Sequence, residues 1–150
     1  GGNTMVFNNA AYKIIIKAGI DLDVVSHDWF IYQLISGAGG KIYYDSNAEI
    51  LYRQHDSNLI GSNNGLLAKL DRVKSLFLGD FKEWNDRNLK ALQQNSELLT
   101  EENKKTLNCF IEARQKSMVL RLCGFVKTGI YRQTFLSNVA LFVGGILNKI

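Results

Sequence analysis

The sequence predicts the closing part of an α/β domain that runs on into a mostly helical extension. Three observations predict it. Short apolar runs at Thr4–Phe7, Lys41–Tyr44 and Ala48–Gln54 flank two helical patterns, and strand–helix–helix–strand–strand is the order expected where an α/β sheet ends. Beyond Asn58 the apolar residues recur at helical spacing. Proline is absent, against a usual share of about 5%, so no proline-rich linker marks a boundary. The change of periodicity therefore sets the expected domains, residues 1–62 and residues 63–150.

In chain order, Thr4–Phe7 reads as a buried strand. Asn8 or Asn9 caps a helix through Ala18, and Gly19 stops it. Ile20–Val25 alternates apolar and acidic residues and reads as a loop. Ser26 is a good N-cap for a helix from His27 to Ser36, whose apolar positions are Trp29, Phe30, Ile31, Leu34 and Ile35. Lys41–Tyr44 is a short strand, Asp45-Ser46-Asn47 has turn chemistry, and Ala48–Gln54 is the next strand. Asn63 or Asn64 caps a helix with Leu66, Leu70, Val73 and Phe77 on one face, which Trp84 extends. Leu89–Gln94 is a short helix. Thr100 caps another, with Glu101 and Glu102 in its first turn, as the helix dipole favours. Its apolar positions run from Leu107 to Leu122, and Gly124 and Gly129 interrupt it. The last helix carries Tyr131, Phe135, Leu136, Val139, Phe142, Val143, Ile146 and Leu147.

The hydrophobic share of 46% and charged share of 21% place the chain among soluble globular sequences. No signal peptide or long apolar run is visible. Since strand-like sequence begins at Thr4, the chain is expected to start inside a larger domain. The net charge of +4 is uneven. Residues 1–100 hold 10 Lys/Arg against 11 Asp/Glu, and residues 101–150 hold 8 against 3. A basic last third suits an anionic partner or a solvated helix face. It lacks the interleaved basic and aromatic residues of a nucleic-acid motif, so nucleic acid is not an expected partner. Val139–Leu147 is too short to span a bilayer. With Lys127, Arg132 and Lys149 around it, this stretch suits an interfacial helix or a bundle core. On one helix Cys109 and Cys123 would lie about 21 Å apart at 1.5 Å per residue, beyond disulfide reach, and reduced thiols of a cytosolic protein are expected.

Two stretches carry candidate chemistry: Ser26-His27-Asp28-Trp29, and Tyr52-Arg53-Gln54-His55 with Asn58. Each holds one of the two histidines. A carboxylate in a first helical turn is kept ionised by the dipole and free amides, so Asp28 suits a general base or a cap. His55, closing a strand, suits a metal or phosphate ligand, or a hydrogen-bonded strand end. Gly1-Gly2-Asn3 suits a turn that lets the backbone approach a ligand. Gly37, Gly39 and Gly40 follow a helix instead of opening one, which fits a phosphate loop poorly.

Glycine turn, late acidic residue and strand-end histidine, in that order, resemble the C-terminal half of a family 2 glycosyltransferase of the GT-A fold. The wording of residues 26–45 and 50–61 is similar to its bacterial rhamnosyltransferase-type members. The likeness reaches to between residues 60 and 90. It departs at His27, where many members carry Glu. The resemblance implies an α/β GT-A nucleotide-diphospho-sugar transferase domain and inverting sugar transfer from a nucleotide-sugar donor. The acceptor would be a cell-surface glycan or a lipid-linked saccharide. It makes Asp28 the catalytic base and His55 a ligand of Mn2+ or Mg2+. Gly1, Gly2 and Asn3 of the turn become donor- or acceptor-binding residues, and His27, Trp29, Arg53, Gln54 and Asn58 join them by adjacency alone. The family's Asp-x-Asp metal motif precedes the glycine turn; Asp21-Leu22-Asp23 has the spacing but follows it, and is rejected. The implied location is cytoplasmic, peripheral at the inner face of the membrane through residues 101–150, and the isolated chain is expected to be inactive. A non-catalytic helical interaction or membrane-surface module is the rival reading.

Overall fold

The computed structural model describes residues 2–19, 21–45, 47, 80–132 and 134–150, and among these described residues there are six α-helices. They are α1 (Asn9–Ala18), α2 (His27–Gly37), α3 (Asp80–Gln94), α4 (Glu101–Gln115), α5 (Met118–Thr128) and α6 (Phe135–Ile146). Single 3-10 turns occupy Gly2–Thr4 and Ser96–Leu98.

The α/β expectation is overturned: the described residues form helices and contain no strand or sheet, which conflicts with a GT-A domain. Thr4 belongs to the first 3-10 turn, residues 5–8 carry no regular structure, and neither does Lys41–Tyr44. The third expected strand, Ala48–Gln54, lies outside the described residues, as does the helix expected from Asn63 or Asn64. The physical reason is pairing. Strand propensity mostly records packing on a pleated surface, and a strand needs partners for its main-chain groups. Val6 is 95% exposed and Tyr43 90% exposed, so the described fold offers these side chains no surface to pack on.

Helix boundaries follow local capping chemistry. The Asn8 side chain accepts the Ala11 N–H at 2.9 Å and starts α1. Gly19, at φ 84°, ends it in a conformation that disfavours other residues. Thr100 caps α4 by accepting the Asn103 N–H at 3.2 Å. The Asn103 amide in turn donates to the carbonyls of Ser36 and Gly37 at 3.3 and 2.9 Å. The start of α4 thereby closes the end of α2.

The continuous apolar pattern from Leu107 to Leu122 is divided between two helices. The chain is extended at Lys116 (ψ 168°) and Ser117 (ψ 160°), and α5 folds back on α4. Cys109 and Cys123 therefore sit on different helices, both as free thiols. Gly124 does not interrupt α5. A Cβ there would lie 2.4 Å from the Ala113 Cβ, so the missing methyl sets how closely α4 and α5 approach. Gly129, left-handed at φ 67°, is the residue that ends α5.

One apolar cluster contains Phe30 and Leu34 of α2, Ala91 and Leu92 of α3, and Leu99, with Ile14 and Leu107 against it. It draws on residues from both sides of the boundary expected at residue 62. Around α4–α6, Phe110 packs on the fully buried Phe125 with ring centroids 5.2 Å apart. A Cβ on Gly145 would meet the Phe125 ring at 2.8 Å. Arg121 is only 8% exposed; it donates to the Gly145 and Lys116 carbonyls, each at 2.8 Å. A cation at two helix C-terminal regions is favoured by both dipoles.

Candidate functional site

The first turn of α2 gathers the described candidate residues. Ser26 has the extended backbone of an N-cap (φ −149°, ψ 128°), yet its hydroxyl does not cap a main-chain amide. It donates to Asp28 Oδ1 instead. The same oxygen accepts the Trp29 N–H at 3.0 Å. Asp28 is half-buried, and its Oδ2 has no partner among the described residues. The Ser26 hydroxyl, chiefly, holds the Asp28 carboxyl below its ordinary range against the opposing effect of burial. The Trp29 N–H and the neighbouring His27 act in the same sense as Ser26. Asp28 is thus an ionised carboxylate with one oxygen committed to the helix start and the other open.

His27 is exposed and backs onto the first 3-10 turn. A Cβ on Gly2 would fall 1.9 Å from His27 Nε2, so only glycine leaves the imidazole its place. Sequence-selected positions Gly2 and His27 are thus brought together beside Asp28. Gly1, Arg53, Gln54, His55 and Asn58 lie outside the described residues, and Asn3 is described only through its backbone turn. Trp29 sits in a seam between helices: its ring meets Trp84 edge-on at 5.8 Å, and Trp84 meets Phe81 at 5.2 Å.

Two residues of α3 that sequence reasoning missed hold the loop leading into this turn. Arg87 pairs with Asp23, with Nε and Nη2 at 2.8 and 2.7 Å from Oδ1, and reaches the Val24 carbonyl at 3.3 Å. The buried Asn88 accepts the Val25 N–H at 3.4 Å. Asn88 left a signal in the sequence, as a polar residue on the face shared by Trp84, Ala91 and Leu92. Arg87 left none, since its partners are more than 60 residues away.

The described residues do not make a metal centre by themselves. Asp23, in the rejected Asp-x-Asp spacing, is paired with Arg87. Among the described residues no cluster of three or more His, Cys, Asp or Glu side chains could hold a metal ion. Mg2+ or Mn2+ seeks several oxygen ligands, and one free carboxylate oxygen beside an imidazole supplies too few, so such an ion would need ligands beyond the described residues. The geometry does suit proton acceptance by Asp28 from a hydroxyl placed against Oδ2.

Comparison with known proteins adds one likeness. A stretch of 51 residues is 37% identical to the dTDP-rhamnosyl transferase RfbG of Shigella flexneri. Over that stretch the chain resembles a glycosyltransferase. The match takes in 34% of this chain and 18% of the Shigella protein, so the chain spans under a fifth of that relative's length. No family model matches the chain, and no solved structure does.

Proposed function

We propose that the chain forms part of an inverting glycosyltransferase that moves a deoxyhexosyl unit of rhamnose type from a nucleotide-sugar donor to a glycan or lipid-linked acceptor. The observation that carries this reading is the likeness to the Shigella rhamnosyl transferase. The ionised, half-open carboxylate of Asp28 supports it. In the proposed step an acceptor hydroxyl attacks the anomeric carbon from the face opposite the leaving group. The new C–O bond forms as the bond to the donor phosphate breaks. The nucleoside diphosphate leaves with the electron pair, and Asp28 Oδ2 takes the hydroxyl proton. His27, Gly2, Asn3 and Trp29 would border the reacting groups, with Gly1, Arg53, Gln54 and Asn58 completing the site. Mn2+ or Mg2+ with His55 as a ligand belongs to the proposal, with the other ligands outside the described residues. A metal ion would neutralise the leaving diphosphate. The test is nucleotide release from dTDP-rhamnose and other donors, with oligosaccharide or polyprenyl-diphosphate-saccharide acceptors. Release dependent on acceptor supports the reading, and none with any pair rejects it.

A peripheral position at the cytoplasmic face of the membrane is the second part of the proposal. Among the described residues no helix is long and apolar enough to cross a membrane. The exposed apolar side chains of α5, α6 and the segment between them favour surface contact: Phe135 is 83% and Leu136 80% exposed, with Val119, Val126 and Tyr131 also open. The nearby cations Lys127 and Arg132 complement anionic headgroups. Binding to phosphatidylglycerol vesicles is expected to exceed binding to phosphatidylcholine vesicles and to weaken with salt. Equal binding to both in a flotation assay would leave α6 as an ordinary solvated helix.

A further inference from the structure

α3 has two opposed faces. Phe81, Trp84, Asn88, Ala91 and Leu92 look toward α2 and the apolar cluster. Lys82, Asp86, Lys90 and Gln93 recur at i, i+4, i+8 and i+11 and form the other side. That second side lines a cleft of about 370 Å³ shared with α4, α5 and the turn after α6. The volume falls within the range of small-molecule sites, about 300–1,000 Å³.

The charges in the cleft are unbalanced. Its cations are Lys82, Lys90, Arg114 and Arg121, and its one carboxylate is Asp86. Asp86 is taken up by Arg114 at 2.6 Å. Arg114 also donates to the main-chain oxygens of Ile150 and Lys82, at 2.9 and 3.3 Å, which fixes it as part of the wall. Lys82 and Lys90 have no ion-pair partner among the described residues. Arg121, more than nine-tenths buried at the cleft wall, has a buried Nε–H without an acceptor. Leaving such a donor unpaired is unfavourable, and an anion in the cleft would offset the uncompensated positive charge of the group. The two free ammonium groups are anchored about 12 Å apart along α3, at 1.5 Å per residue. From those positions the two flexible side chains can reach the two ends of a two-phosphate anion lying between them.

We propose that the cleft between α3, α4 and α5 binds a diphosphate group. Lys82 and Lys90 hold its oxygens, Gln93 donates a further hydrogen bond, and Arg114 and Arg121 supply fixed positive charge behind them. This goes beyond the sugar-transfer reading and uses none of its residues. The diphosphate could come from a lipid-linked species or from a free one, and the two are separable by experiment.

The test is calorimetric titration of the protein at low salt, without divalent ions, using inorganic pyrophosphate, inorganic phosphate and farnesyl diphosphate as probes. Pyrophosphate is expected to bind saturably, more tightly than phosphate, and at least tenfold more weakly to Lys82→Gln/Lys90→Gln. Lys13→Gln/Lys17→Gln removes equal charge at exposed sites on α1, outside the cleft, and should bind as the unsubstituted protein does. Unchanged thermal melting checks that both variants fold. Tighter binding of farnesyl diphosphate than of pyrophosphate assigns the lipid-linked source, and equal binding assigns the free one. Absent pyrophosphate binding, equal phosphate affinity, an unaffected cleft variant or an equally weakened control would each overturn the site. The same titrations with Asp28→Asn should be unchanged, so a failed cleft leaves the sugar-transfer reading standing, and the reverse.

Discussion

Replacing Asp28 by asparagine is expected to lower acceptor-dependent nucleotide release by about 100- to 10,000-fold, the usual worth of a general base. The fold should survive. Asparagine is nearly isosteric, and its carbonyl oxygen can still accept from the Ser26 hydroxyl and the Trp29 N–H. What it lacks is the ability to take a proton. Donor affinity should therefore hold while kcat falls. The pH profile gives an independent check. The active form is the ionised carboxylate, and its pKa is lowered chiefly by Ser26. The acid limb of kcat/KM should thus lie below the ordinary carboxylate value of about 3.9. Ser26→Ala removes the donor that favours the ionised form, so it should move that limb to higher pH. The linked stability has the same sign. It is present above the unfolded pKa and is lost as pH falls through the lowered folded value. Near-normal turnover by Asp28→Asn would remove this residue from the chemistry.

The largest expected loss of stability comes from filling the α4–α5 contact. A methyl on Gly124 would sit 2.4 Å from the Ala113 Cβ, far inside van der Waals contact, so the helices must separate. Overpacking of this kind costs about 1–3 kcal/mol. Alanine's better helix propensity returns up to about 1 kcal/mol. Gly124→Ala should therefore lose up to about 2 kcal/mol net, and Gly124→Leu more. At this chain length each kcal/mol lowers Tm by about 2–4 °C. Pairing Gly124→Ala with Ala113→Gly moves the single methyl to the facing helix and should recover most of the loss. A double variant no more stable than Gly124→Ala would show that the helix separation is set elsewhere.

Legibility in the sequence tracked the range of the chemistry. The caps at Asn8 and Thr100, the stop at Gly19 and the interruption at Gly129 depend on neighbours within a turn, and they stand where the residue types placed them. The strands expected at Thr4–Phe7 and Lys41–Tyr44 did not, because pairing is non-local and Val6 or Tyr43 carries no mark of whether a partner is near. The division of α4 from α5 was hidden by an apolar pattern that runs through Lys116 and Ser117 without a break. Gly124 read as an interruption because its use is visible only with Ala113 opposite it. At the candidate site, the place of Asp28 in a first helical turn was readable. The diversion of the Ser26 hydroxyl onto its carboxylate, and the hold of Arg87 and Asn88 on the preceding loop, required coordinates.

The edge-on contact of Trp29 with Trp84 has an optical consequence. These are the chain's two tryptophans, and at 5.8 Å their indoles are near enough for their excited states to couple. All tryptophan emission and the strongest near-ultraviolet dichroism of the molecule then originate at one junction, between α2 and α3. Light absorbed by this protein at 295 nm reports whether the helix bearing Asp28 is docked. A bound sugar or a substitution that lifts α2 from α3 would register as a red-shifted spectrum, with no label attached.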